Sequence, residues 1–98
     1  MTVTLDTLRR VKRAEIIRLA TLHGCRNVRV FGSVVTGASR PDSDVDFLVD
    51  VDSGRTIFDL AHFLGDLREL LGTEVDVIES RSIHPYIRER VLTEAVPI

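Results

Sequence analysis

The chain has 98 residues, 44% of them hydrophobic and 29% charged, with a formal net charge of −2. That length predicts one domain with a modest core, and the balance is that of globular material, not of a disordered segment. The slight negative charge gives no electrostatic footprint for direct nucleic-acid binding, and the single cysteine, Cys25, excludes an internal disulfide framework or a Cys-based zinc site.

Met1 opens into Thr2-Val3-Thr4-Leu5-Asp6, without a signal peptide's basic and apolar regions. No apolar run approaches the roughly 20 residues that span a bilayer, so no membrane is expected and a cytoplasmic location is.

Residues 5 to 23 predict one amphipathic helix. Leu5, Leu8, Val11, Ile16, Leu19 and Ala20 share a stripe at helical spacing, Thr4 suits the N-cap and Gly24 the stop. The basic cluster Arg9 to Arg13 reads as a solvated helix face or as a phosphate patch. Cys25 reads as a small residue at the turn into a strand over 27–31. That strand breaks at Gly32-Ser33, and 33–38 predict a short helix closed by Gly37. Arg40-Pro41-Asp42-Ser43 is a turn by composition.

A second strand is predicted over 44–51, with Val45, Phe47 and Val49 on its core face and Asp50 and Asp52 solvated near its end. Thr56 caps a long helix, Asp59 completes a capping box, and Gly72 stops it. Its expected core stripe is Ile57, Leu60, Ala61, Leu64, Leu67 and Leu71. Residues 74–78 predict a third strand. Pro85 opens a last helix with Ile87, Val91 and Leu92 inward, and Pro97 ends the pattern. Ile83, Tyr86 and Ile98 fit either the core or a dimer or partner surface. The class is α/β (α+β): a small mixed sheet of three or slightly more strands with flanking helices.

Two acids inside an apolar strand carry the chemistry. Asp44 and Asp46 are two apart and project from one face. Asp76, between Val75 and Val77, repeats the pattern on the third strand, so neighbouring strands would bring three carboxylates together. Two carboxylates about 6 Å apart at an effective dielectric of about 20 repel by roughly 3 kcal/mol. A divalent cation relieves such a cluster, and oxygen ligands select Mg²⁺ or Mn²⁺. The competing reading is an edge strand with a solvated face.

Gly32-Ser33 shifts the balance, because backbone N–H groups at such a strand-to-helix turn bind phosphate and glycine permits close approach. A P-loop fails: Ala38-Ser39 stands where Lys and Ser/Thr are required. Ser33 as a hydrolytic nucleophile is also weak, since no G-x-S-x-G elbow is present and His23, His62 and His84 show no pattern linking them to it. Surface or capping roles are expected of His62 and His84.

The combination resembles the DNA polymerase β-like nucleotidyltransferase superfamily: Phe31-Gly32-Ser33, a ten-residue gap, Asp44-Val45-Asp46-Phe47, then Asp76. The resemblance covers nearly the whole chain, including the ending Val91-Leu92-Thr93-Glu94-Ala95-Val96-Pro97, and points to the small prokaryotic minimal nucleotidyltransferases. It implies the nucleotidyltransferase fold over residues 1–98. It implies that Gly32 and Ser33 hold the β- and γ-phosphates of ATP, and that Asp44, Asp46 and Asp76 are catalytic and ligate two Mg²⁺, or Mn²⁺. It also implies transfer of AMP to a hydroxyl of a partner protein, a HEPN-type RNase toxin, with this chain as antitoxin. Larger relatives hold the acceptor with an added domain that 98 residues leave no room for, so the acceptor is expected on another molecule. One departure stands out: many minimal members have Arg before the second Gly, where this chain has Thr36-Gly37. Arg40 is a candidate substitute. The departure keeps a second reading in play, a non-catalytic antitoxin that caps its partner.

Overall fold

A computed structural model describes residues 2–38, 40 and 43–98. The helices are α1 (Leu5–Arg10), α2 (Arg13–Leu22), α3 (Ser33–Thr36), α4 (Ile57–Leu71) and α5 (Pro85–Glu94), and the strands are β1 (Cys25–Phe31), β2 (Val45–Val51), β3 (Val75–Glu79) and β4 (Val96–Pro97). A short 3₁₀ turn, Ser80–Ser82, links β3 to α5. The strands form one four-stranded sheet in the order β3-β2-β1-β4. β2 pairs with β3 in parallel, while β1 is antiparallel to both β2 and β4, so the sheet is mixed as expected.

The expected first helix is two helices, broken at Val11-Lys12. Thr4 does cap the first, its hydroxyl accepting from the Thr7 N–H. Val11 lies outside the core stripe assigned to it and is 69% exposed. Polar residues dominate 9–15, so nothing apolar holds that turn in register across the break.

The larger core lies between one sheet face and α1, α2 and α4. It joins Leu8, Ile16 and Leu19 to Val28 and Val30 of β1, Val45, Phe47 and Val49 of β2, and Phe63 and Leu67 of α4. The capping box of α4 forms as read, with Thr56 and Asp59 bonding each other's backbones. Its core stripe is rotated from the expected one, however. Phe63 is fully buried, whereas Ile57 is 75% exposed and Ala61 is also exposed. The helix turns Phe63 inward, a large apolar payload, and leaves Phe58 in its first turn 73% exposed.

A smaller cluster covers the opposite sheet face. Leu48, Ile83 and Val91 are buried there, with Phe31, Ile78 and Ala95 packed around them. Thus Ile83 is core and Tyr86, 94% exposed, is not. Of the three residues expected inward on α5 only Val91 is buried; Ile87 and Leu92 face solvent. The His84 ring caps this helix by accepting from the Tyr86 N–H, and Pro85 occupies its first turn.

Pro97 does not end the structure. Val96 and Pro97 pair with Val30 and Arg29 as β4. Arg9 fastens this strand by donating from Nε and Nη2 to the Pro97 carbonyl, at 3.1 and 2.7 Å, so the basic cluster has a structural task. The Arg40–Ser43 turn lies partly outside the described residues; its ends are closed by the Ser43 N–H donating to the Arg40 carbonyl at 3.0 Å. Among the described residues no helix is long and apolar enough to cross a membrane.

Phe63 tests this packing. Truncation to alanine should cost about 3–5 kcal/mol, lowering the denaturant midpoint sharply. A loss under about 1 kcal/mol would mean that α4 is not the keystone of the larger core.

Candidate active site

β1 ends at Phe31, opposite Asp46 of β2. The next residue, Gly32, has φ 77° and ψ −150°, a backbone conformation that L side chains rarely adopt. A Cβ added there would lie 2.5 Å from Asp46 Oδ2. Glycine is therefore required twice, by conformation and by the carboxylate pressed against it. Gly32 is the N-cap of α3, and its carbonyl accepts from the Val35 and Thr36 N–H groups at 3.0 and 3.2 Å. Ser33 begins the helix and is half-buried, and Gly37 ends it with φ 81°.

The parallel register sets Asp46 directly beside Asp76. Asp44 falls one residue before β2, which starts at Val45 and not at 44 as expected. Asp44 and Asp76 are exposed and Asp46 is half-buried. A fourth acid arrives from the end of α5: Glu94 Oε1 accepts a 2.5 Å hydrogen bond from the Gly32 N–H. Burial, and then the charges of Asp76, Asp44 and Glu94, push the Asp46 carboxyl up to about 6. Among the described residues none of these four acids is in an ion pair; the pairs that form involve other carboxylates.

Asp50, four residues further along the same face, shows the opposite environment. It was expected in solvent, but it is half-buried and heavily bonded. Ser80 donates to it at 2.6 Å, Arg29 at 2.8 Å, Asn27 at 3.1 Å and Arg26 at 3.3 Å. The Ser80 hydroxyl first, then Asn27, Arg29 and Arg26, hold its carboxyl below the usual range. A β-bulge between Arg26 and Arg29, with Asn27 at φ 52°, aims these donors at it. Asp50 is thus a structural acid, neutralised within the fold. Among the described residues no ion pair compensates the acids around Asp46.

That excess charge on oxygen donors fits a hard divalent cation in kind. The side chains are not closed into a cage: among the described residues no three His, Cys, Asp or Glu groups already converge to hold a metal ion. One shallow hollow of about 510 Å³, lined by Tyr86, Glu89, Arg90, Thr93 and Glu94, borders this site, and another cleft lies elsewhere. A cleft of about 380 Å³ lined by Val51, Arg55, Ile57, Leu60, Glu79 and Arg81 lies at the carboxyl ends of β2 and β3, the far end of the sheet from Asp46 and Asp76. Its Arg55 and Arg81 are paired with Asp59 and Glu79.

Two other groups are structural. His23 Nε2 lies 2.6 Å from Asp66 Oδ2 and so ties α2 to α4. Cys25 is buried and its thiol is pushed up to about 11, chiefly by burial, which leaves it unreactive. Sequence reasoning took Glu94 only as part of the family-like ending from Val91 to Pro97 and gave it no role; its position at the junction of α5 and β4 brings it to Gly32.

The raised Asp46 pKa sets a pH dependence. The folded state holds this proton more tightly than the unfolded chain, so the contribution of Asp46 to stability is intact below about pH 4 and is lost as the pH rises through about 6. In chelated, metal-free buffer Asp46→Asn should therefore exceed the parent in stability by about 1–2 kcal/mol at pH 8, after allowance for solvent screening. The two should converge near pH 4. Equal stabilities across that range would show that neither burial nor the neighbouring acids raise the Asp46 pKa.

Residues 15–98 match the family described as "Nucleotidyltransferase domain". The chain is 39% identical over 88 residues to the "Putative protein adenylyltransferase MJ0435" of Methanocaldococcus jannaschii, covering 90% of this chain and 94% of that one. It is 34% identical over 94 residues to the protein adenylyltransferase MntA of Thermococcus cleftensis, covering 96% and 95%. A solved structure described as a "putative minimal nucleotidyltransferase" superposes with a TM-score of 0.85 at 45% identity, covering 98% and 97%. A toxin-antitoxin crystal structure with AMP-PNP shares the fold at a TM-score of 0.75 and 21% identity, covering 89% of this chain and 72% of that one. The fold, the family match and these relatives agree: the chain belongs to the nucleotidyltransferase domain family and is a nucleotidyltransferase enzyme.

Proposed function

We propose that this chain transfers AMP from ATP to a hydroxyl of a partner protein in a Mg²⁺-dependent reaction, and that the partner is a HEPN-type toxin for which it is the antitoxin. The observation that carries the reading is the placing of Asp46 between Asp76 and the Gly32 turn. The relatives named protein adenylyltransferase support the transfer, and the neighbour solved with AMP-PNP, an ATP analogue, is a toxin-antitoxin.

Gly32 and Ser33 bind the β- and γ-phosphates through backbone N–H groups and the Ser33 hydroxyl. Asp44, Asp46 and Asp76 hold Mg²⁺, which when bound screens the triphosphate and acidifies the acceptor hydroxyl. Asp76, exposed at the sheet edge, also takes the proton of that hydroxyl. The hydroxyl oxygen forms a bond to the α-phosphorus as the bond to the bridging oxygen breaks, and pyrophosphate leaves. Gly32 positions the chain of phosphates, and the carboxylates fix the line of attack.

A second reading, neutralisation by capping alone, rests on Thr36 standing where many minimal members carry Arg. Both readings meet one experiment: the chain, labelled ATP, Mg²⁺ and the proposed HEPN-type partner. Label should pass to the partner, and Asp44→Asn and Asp46→Asn should each reduce the transfer by about two orders of magnitude or more. Undiminished transfer in these variants would refute the assignment of the site. Undiminished toxin neutralisation by variants that transfer no label would make capping the biological mechanism.

A further inference from the structure

The Gly32 N–H is already occupied. Its partner is Glu94 Oε1, at 2.5 Å, in a part-buried contact between residues 62 apart in sequence. A carboxylate oxygen and a phosphate oxygen are the same kind of acceptor, and a backbone amide has one proton to give. The other side of Gly32 is closed by Asp46 Oδ2, which would lie 2.5 Å from any Cβ there. The turn is thus held between two carboxylates.

Glu94 reaches this place on a fixed backbone. It is the last residue of α5, whose Val91 is buried in the cluster with Leu48 and Ile83. The Ala95 N–H donates to the Val91 carbonyl at 2.9 Å. Val96 and Pro97 then pair with β1 beside the turn, and Arg9 and Arg13 hold the Pro97 and Ile98 carbonyls. The Glu94 side chain is left as the part that can swing away, by rotation about its own bonds.

We propose that Glu94 competes with the phosphates of the nucleotide for the Gly32 N–H, so that nucleotide binds only as Glu94 lets go, and Glu94 sets the nucleotide affinity of the chain. This rests on the reading of Gly32 as a phosphate donor. A triphosphate arriving at the turn meets a competitor for its hydrogen bond and a like charge as well. Removing the carboxylate removes both.

The test has two readouts, ATP affinity by calorimetry with Mg²⁺ and the Gly32 amide proton shift in the nucleotide-free protein, each for the parent, Glu94→Ala and Glu94→Gln. In Glu94→Ala the amide proton should move upfield, and ATP should bind about tenfold more tightly, a factor worth about 1.4 kcal/mol. Glu94→Gln keeps the shape and an acceptor oxygen without the charge, so it should show a smaller gain; it also carries the test if the alanine variant fails to fold. An unmoved amide shift in Glu94→Ala overturns the inference. So does ATP affinity that is unchanged or weaker in both variants while the parent binds ATP, an outcome that leaves the proposed function standing. Absence of ATP binding in all three proteins, with the amide shift moving as expected, would overturn the phosphate reading of Gly32 and this inference with it.

Discussion

Parallel pairing of β2 with β3 sets Asp46 beside Asp76, and among the described residues neither is in an ion pair. The structure around them makes that repulsive placement tolerable. On the reverse face Val45, Phe47 and Val49 are fully or almost fully buried against α2 and α4, so the strand cannot slip or flip without exposing its core. The hydrophobic burial of one face thereby holds charge on the other where solvation alone would scatter it.

The acid-bearing face is divided along β2. Asp46 meets Asp76 and the Gly32 turn at one end, Leu48 packs under Ile83 and Val91 in the middle, and Asp50 meets Arg26, Arg29, Asn27 and Ser80 at the other. Asp46 and Asp50 are the same residue type, on one face of one strand, with pKa displacements of opposite sign. The difference separates a carboxylate that completes the fold from one whose charge the fold disfavours. The apolar middle isolates the two networks, so the arginines around Asp50 do not neutralise Asp46.

Much of the fold was legible because its signals are local. Thr4, the Thr56–Asp59 box, Gly37, Gly72 and Pro85 each act on the turn that contains them, and each behaves as its chemistry predicts. Alternation along β2 and β3 showed which side chains share a face. What failed or stayed open were inferences that need a neighbour. The break at Val11-Lys12, the roll of α4 onto Phe63 and the burial of Ile83 over Tyr86 depend on which surfaces meet. Periodicity reports that a face is apolar and not how far it turns.

The division is sharpest at the site. By itself the sequence determined the spacing of Gly32-Ser33 from Asp44 and Asp46, the shared face of acids on a pleated strand, and a third acid at Asp76. These follow from covalent geometry and the period of a strand. Only the tertiary structure decided that Asp76 stands beside Asp46, that Asp50 is neutralised, and that Glu94 lies on the Gly32 amide. Strand register, a bulge and a two-residue terminal strand bring those groups together across 21 to 62 residues of chain. Proximity over such separations is set by packing, and no local pattern encodes it.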